Sequence, residues 1–346
     1  MEKLRILSPE GELVPNGTPS MDAENTRRTL QWMLLSKQVD ERAFSLQRQG
    51  RMGTYSAVRG QEASVMGSCT ALDPAADWIV PQYRELPGLL RHGLSIEGCL
   101  AYWKGNSDAG MIPDGVKVLP PQIGLAAQLP QAVGLAWGLK LQNDPGVVMT
   151  FIGDGGSSEG DFHEALNLAG VTKAPIVFVL QNNGWAISTP RHKQSAAENF
   201  ASRGAGYGVP SILVDGNDLF AVHQAASEAV ERAKSGGGPT LIESVTYRLG
   251  AHNTADDPTK YLSPDEKAEW ESVDPIDRVL TYLRSVGELS DDQLTEIESA
   301  NQVEVDRAVE ALNLVGPPDP RTLFDHVYAE DPVRLERQKT AFVKGL

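Results

Sequence analysis

The chain of 346 residues has only two cysteines, Cys69 and Cys99. A disulfide framework or a cysteine metal cluster needs more thiols than that, so neither organises this protein, and buried free thiols are expected. Basic residues are also few. Against 46 Asp and Glu stand 31 Lys and Arg, a formal charge of −15, and no basic stretch is available to neutralise phosphates, which argues against a nucleic-acid partner. Long apolar runs are missing too, and the opening MEKLRILSPEGELVPNG has no sustained apolar stretch and no cleavage-site pattern. No membrane attachment and no secretory signal are therefore expected, and the cytoplasm is the default location. Internal repeats and low-complexity segments are absent.

What the chain does contain is concentrated between Gly153 and Asn183, GDGGSSEGDFHEALNLAGVTKAPIVFVLQNN. The runs GVVMTFI (146–152) and APIVFVL (174–180) are short, apolar and β-branched, as buried parallel strands are. Between them Ser158 with Asp161 has the spacing of a capping box, and Phe162, Leu166 and Ala169 recur at helical spacing. The unit reads strand, tight turn, helix, strand. Parallel strands deliver the residues that follow them to one sheet edge, so Asp154 and Asn183 converge there although they are 29 positions apart. The Asp154 carboxylate, the Asn183 amide oxygen and a backbone carbonyl near Trp185 make a hard oxygen site of the kind Mg²⁺ takes, with positions left for diphosphate oxygens and a water. Gly153, Gly155 and Gly156 let the backbone approach such a diphosphate, whose charge also suits the N-terminus of the following helix. Taken alone, a GDGG turn is only a tight turn and an Asn pair only a loop. Two phosphate-binding rivals fail on spacing: the position that a GxGxxG fingerprint needs as glycine is Ser158, and the GK[ST] of a P-loop is absent.

Beyond this unit the chain divides into an arm over 1–21, rich in Gly, Pro and Glu, which either wraps a partner or stays disordered; a core over 22–262; and a helical region over 263–346. A helical pattern from Asp22 to Gln49 leads into the core, where strands and helices alternate to about Tyr261. In the last region Ser290 with Gln293 is a capping box, and Gly316, Pro317 and Pro318 punctuate the end. Length and alternation predict an α/β fold with a central, mostly parallel sheet flanked by helices.

GDG, 26 intervening residues and NN together resemble the motif of thiamine diphosphate enzymes. Within that class SEGDFHEALNLAGV and QNNGWAISTP resemble the alpha subunit of the decarboxylating (E1) component of 2-oxo acid dehydrogenase complexes. The resemblance runs on through RQGRMGTYSAVRGQEA, PQYRE, LPPQIGLAAQLPQAVG, VDGND and YRLGAHNTADDPTKY, and so covers most of the chain. It implies the thiamine diphosphate-binding fold and, because only the diphosphate-binding half is present, a separate beta subunit in an α₂β₂ assembly. It also implies oxidative decarboxylation of a small 2-oxo acid, with the thiazolium as electron sink, and acyl transfer to the lipoyl group of an acyltransferase partner. RQGRMGTY and MIPDGVKVLPPQ resemble the bacterial pyruvate type; RGAGYG and VDGNDLFAV are as close to the branched-chain type, and acetoin dehydrogenase alpha subunits share the motif. A catalytically silent scaffold subunit is the alternative of a different class, and its signature would be loss of Asp154, Asn183, Arg84 or His252, all of which are present.

By the same resemblance, Gln82, Tyr83 and Arg84 of PQYRE reach the diphosphate, and the always-charged planar guanidinium suits that task. Leu125 stands where an aliphatic residue supports the bent cofactor, the backbone around Ile123 faces the pyrimidine, and Gln181 borders the cofactor. His252 matches the active-site histidine, a group able to change charge near neutral pH. Arg248 and Asp256 match residues that order its loop. His92, His163, His192, His223 and His326 have ordinary helix or loop readings. Some features depart from the family: SDAGMIPDG (107–115) has no histidine where many relatives carry one, Gln181 replaces the arginine of some branched-chain relatives, and Asn253 stands where mitochondrial relatives have a regulatory serine. Kinase control at that position is therefore not expected.

Overall fold

A computed structural model describes residues 1–106, 111–316, 319–325 and 327–345. The first four residues of SDAGMIPDG, the prolines at 317 and 318, and His326 lie outside them. Among the described residues five strands form one sheet: β1 (Trp78–Val80), β2 (Val148–Gly153), β3 (Ile176–Asn182), β6 (Ser211–Asp215) and β7 (Thr240–Val245). Their order is β1-β2-β3-β7-β6, and every pairing is parallel. A separate antiparallel hairpin is made by β4 (Trp185–Ala186) and β5 (Thr189–Pro190).

Strand alternation builds the core on both faces of this sheet. Met149 and Phe151 of β2 and Val177 and Val179 of β3 join helix α2 (Glu62–Thr70) and helix α8 (Leu219–Lys234) in one cluster. Their neighbours in sequence, Val148 and Ile152, Ile176, Phe178 and Leu180, point the other way into helix α5 (Gln128–Leu141) and helix α6 (Gly160–Thr172). A strand with two buried faces has no polar alternation, which is why these runs are apolar in sequence but for Thr150, whose hydroxyl donates to Val80 O at 2.9 Å.

Helix α1 (Ala23–Arg48) starts where Asp22 accepts a hydrogen bond from the Asn25 amide at 2.7 Å. It lies between two outer clusters. One shares Leu35, Val39 and Leu46 with α4 (Ile96–Trp103) and α11 (Asp291–Leu314); the other shares Leu30, Met33 and Leu34 with α10 (Pro275–Ser285). The short helices α3 (Leu86–Arg91), α7 (Arg191–Gln194) and α9 (Pro264–Glu271), and α12 (Val333–Val343) near the end, complete the α-helices among the described residues. No helix among the described residues is long and apolar enough to cross a membrane.

Two expectations meet different outcomes. At α11 the capping box is complete: Ser290 Oγ accepts from the Gln293 amide at 3.2 Å, and Gln293 Oε1 accepts from the Ser290 amide at 2.9 Å. At Ser158 there is none. That residue ends a single 3₁₀ turn, Gly156–Ser158, and α6 begins only at Gly160 with Glu159 as an N-cap whose side chain makes no capping bond. The Ser157 hydroxyl turns back to the Asp154 carbonyl at 2.5 Å, so the turn is closed on its own backbone before the helix starts. The arm over 1–21 also differs from a free segment. Leu4 forms a parallel bridge to Val214 at the β6 edge, Ile6 and Leu7 are buried, and their amides donate to Asp218 Oδ2 at 2.6 and 2.7 Å.

Candidate active site

Because the sheet is parallel, the segments that leave β1, β2, β3 and β7 emerge at one edge. The register aligns Gly153 with Gln181 and Asn182 with Val245, so Gln82 to Glu85, Gly153 to Gly156, Asn183 to Ile187 and Arg248 to His252 face one another. They enclose a cavity of about 160 Å³. Of the residues singled out in the sequence, Gln82, Tyr83, Arg84, Leu125, Gly153, Asp154, Gly155, Gly156, Gln181, Asn183, Trp185, Arg248 and His252 line it. Ile123 does not line it and is 49% exposed; Asp256 acts from behind, through the His252 backbone.

Asp154 is 1% exposed, and burial pushes its carboxyl above the usual range. No Lys, Arg or His forms an ion pair with it among the described residues; its direct side-chain partner is the Gln194 amide, 2.7 Å from Oδ2. A buried carboxylate without a cation is costly. Asn183 lines the same cavity with its amide oriented by Gln61, whose Oε1 accepts from Nδ2 at 3.2 Å; among the described residues Oδ1 accepts from the Trp185 amide, also at 3.2 Å. No group of three or more His, Cys, Asp or Glu side chains able to hold a metal occurs among the described residues. A cation here would be met by one carboxylate, one amide oxygen and backbone, which is the donor set of a hard ion that retains ligand or water oxygens. The turn itself leaves room: a Cβ on Gly153 would meet nothing within 4 Å, whereas one on Gly155 would stand 2.6 Å from Ala186 Cβ and one on Gly156 2.4 Å from Ile152 Cδ1. The last two glycines thus let the turn sit against the hairpin and against β2.

Arg84 and His252 form the opposite wall. Arg84 is 7% exposed and donates to Ala57 O at 2.6 Å and His252 O at 2.6 Å, with Nη2 also 3.1 Å from His252 Nδ1. Arg248 Nη1 lies 3.5 Å from the same ring nitrogen. A guanidinium only donates, so Nδ1 is the acceptor and Nε2 carries the proton. Burial, then the two positive neighbours, hold the imidazole down at about 4, so His252 is a neutral Nε2–H donor at ordinary pH. Arg248 also fastens two segments to each other, donating to Ile187 O at 2.8 Å and to the Tyr261 hydroxyl at 2.8 Å. Asp256 Oδ2 accepts from the His252 amide at 2.7 Å and from the Tyr261 hydroxyl. Ile187 adopts a φ of +54°, a left-handed conformation unusual for a β-branched residue, and its carbonyl is the one Arg248 holds.

Three residues at the site have roles that the sequence alone does not show. Gln61 orients Asn183; it lies within the segment RQGRMGTYSAVRGQEA, which was the available signal. Glu85 is 1% exposed, and its carboxylate accepts from the amides of Gln82 and Arg84 at 2.9 and 3.1 Å and from Gln181 Nε2 at 2.8 Å. It joins the turn after β1 to the end of β3, and burial pushes it up to about 7. Gln194 holds Asp154 from α7, and nothing in its local sequence marks it.

Residues 30–320 match the model of a family described as the dehydrogenase E1 component. Over 339 residues, 97% of this chain and 91% of the relative, the sequence is 42% identical to the pyruvate dehydrogenase E1 component subunit alpha of Staphylococcus epidermidis. Over the same shares of each chain it is 40% identical to the protein of that name from Staphylococcus aureus.

Proposed function

The chain belongs to the dehydrogenase E1 component family, and we propose from that premise that it is the alpha subunit of a pyruvate dehydrogenase, working in the cytoplasm. In this reading it binds thiamine diphosphate through Mg²⁺ and acts with a beta subunit in an α₂β₂ assembly on a small 2-oxo acid. The acyl group passes to the lipoyl group of an acyltransferase component. The observation that carries the reading is the Asp154 carboxylate, buried with no ion-pair partner among the described residues and lining one cavity with Asn183 and a glycine turn at the carboxyl edge of a parallel sheet. That arrangement fits a cation and a diphosphate better than a closed structural turn, which would not leave a buried carboxylate without a cation.

When bound, thiamine diphosphate supplies the electron sink for loss of CO₂ from a 2-oxo acid. The chain's own residues supply binding and orientation. Asp154, Asn183 and the Trp185 carbonyl would hold the cation. Gln82 is fixed at its Oε1 by the Gly153 amide, 3.3 Å away, and Arg84 adds a positive charge from the far wall. Leu125 offers an apolar surface within the same cavity. His252, neutral with its proton on Nε2, offers a hydrogen-bond donor in the cavity lining and adds no further charge beside Arg84 and Arg248. Exposed apolar side chains on the outer faces of α5 and α6, among them Leu141 at 69% and Val171 at 75%, support a partner subunit.

The reading is tested by co-expressing the chain with its beta subunit and measuring decarboxylation with Mg²⁺, thiamine diphosphate and an artificial electron acceptor. Turnover of pyruvate in preference to 3-methyl-2-oxobutanoate and acetoin is expected. Preference for either competitor would overturn the substrate assignment, and a cofactor-loaded assembly that turns over none of them would overturn the enzyme. In parallel, Asp154→Ala is expected to abolish Mg²⁺-dependent cofactor binding with the fold intact; unchanged affinity would remove Asp154 from the cation site.

A further inference from the structure

Gln194 sits between two oxygens that can only accept. Its Nε2 donates to Asp154 Oδ2 at 2.7 Å and to Thr189 O at 3.0 Å. Neither a carboxylate nor a carbonyl offers a proton, so the orientation of this amide is fixed by its neighbours: Nε2 faces them and Oε1 faces away. That Oε1 is buried and has no hydrogen-bond partner among the described residues. The side chain belongs to the last residue of α7, directly after the β4–β5 hairpin, and Thr189 is part of that hairpin. One amide therefore ties the carboxylate on the β2 turn to the hairpin whose first residue is Trp185.

We infer that Gln194 is a positioning residue for the cation site. It grips Asp154 at Oδ2 and leaves Oδ1 for the ion, it holds the hairpin that offers the Trp185 carbonyl in register with that carboxylate, and it presents Oε1 as an acceptor for water in the ion's shell. The inference rests on the reading of Asp154 and Asn183 as cation ligands. Partners that hydrogen-bond a metal ligand without touching the metal orient the ligand, and losing one typically costs about 10–100-fold in metal affinity. A residue that merely tethered the hairpin through Thr189 would alter the stability of the fold and leave the Mg²⁺ requirement where it was.

The test uses the enzyme assembled with its beta subunit, carrying Gln194→Leu or Gln194→Met, the latter preserving length and most of the volume. Mg²⁺ is titrated at fixed thiamine diphosphate while cofactor binding is followed through the fluorescence of Trp185, which borders the cavity, and Mn²⁺ binding is measured separately by electron paramagnetic resonance. Both variants are expected to need about 10–100-fold more Mg²⁺ for half-saturation, to weaken Mn²⁺ binding similarly, and to regain cofactor binding at high Mg²⁺. A wild-type midpoint in both variants overturns the inference, as does failure of both to fold, which would make Gln194 a structural residue. Asp154→Ala run alongside separates the two levels: if it binds Mg²⁺ normally the cation-site reading falls, whereas if it loses Mg²⁺ while both Gln194 variants keep the wild-type midpoint, only the role of Gln194 falls.

Discussion

Glu85 illustrates how much a single buried side chain sets at this site. Its carboxylate organises the turn that carries Tyr83 and Arg84 and binds Gln181, 96 positions away. Burial raises it from 4.5 to about 7 in the folded protein. Between those values the native state holds a proton that the unfolded chain has released, so this group's contribution to stability is complete below about 4.5 and is lost as pH rises toward 7. Glu85→Gln cannot titrate. Its stability relative to the wild type is therefore expected to climb through that window, at no more than about 1.4 kcal/mol per pH unit, and to level off above it. Denaturant unfolding of both proteins at several pH values checks this; a constant difference would refute it. The sequence made Asp154 and Asn183 legible, since spacing and flanking strands place them without knowledge of the rest of the chain. Glu85, Gln61 and Gln194 were not legible as site residues, because each acts through a contact between distant segments or with a loop whose path no periodicity predicts.

At the scale of elements, two serine motifs of similar spacing behaved differently, and the reason is local. Ser290 opens a long helix from solvent and is free to take the N-cap geometry, whereas Ser158 follows a turn already closed by Ser157 and shaped by close glycine contacts. Removing the cap with Ser290→Ala is expected to cost about 1 kcal/mol, measured by chemical denaturation. Gly60 makes a harsher demand. It has a φ of +93°, and an added Cβ would lie 2.3 Å from Tyr247 O, immediately beside the Gln61 that orients Asn183. Gly60→Ala is expected to destabilise the protein by several kcal/mol and to weaken cofactor binding together with stability; a melting temperature equal to the wild type would contradict the close approach. The β2 and β3 strands were the most readable elements, because burial on two faces leaves a run that is short, largely apolar and rich in β-branched residues.

At the scale of the whole molecule, the N-terminal arm matters more than its composition suggests. Gly, Pro and Glu advertise a loose segment, yet Ile6 and Leu7 complete a cluster with α1, α8 and α10, and Arg5 pairs with Asp215 at 2.9 Å. Burial of those two aliphatic side chains alone corresponds to about 3–6 kcal/mol. Their loss would also take away two of the four backbone donors of the buried Asp218 carboxylate, leaving the amides of Phe220 and Ala221 on Oδ1. A chain lacking residues 1–8 is expected to melt at a clearly lower temperature by calorimetry, and an unchanged melting temperature would show that the arm contributes little. Composition misled here because two buried residues among polar neighbours have no periodic signature. Their partners come from helices far along the chain.

The guanidinium of Arg248 has a consequence that concerns time rather than place. By gripping Ile187 O on the hairpin side and Tyr261 on the histidine side, it latches the two walls of the cavity into a single moving part. Separation of the two walls breaks a charged hydrogen bond to Ile187 O. The dissociation rate of anything held between them is therefore where loss of the Arg248 latch is expected to show.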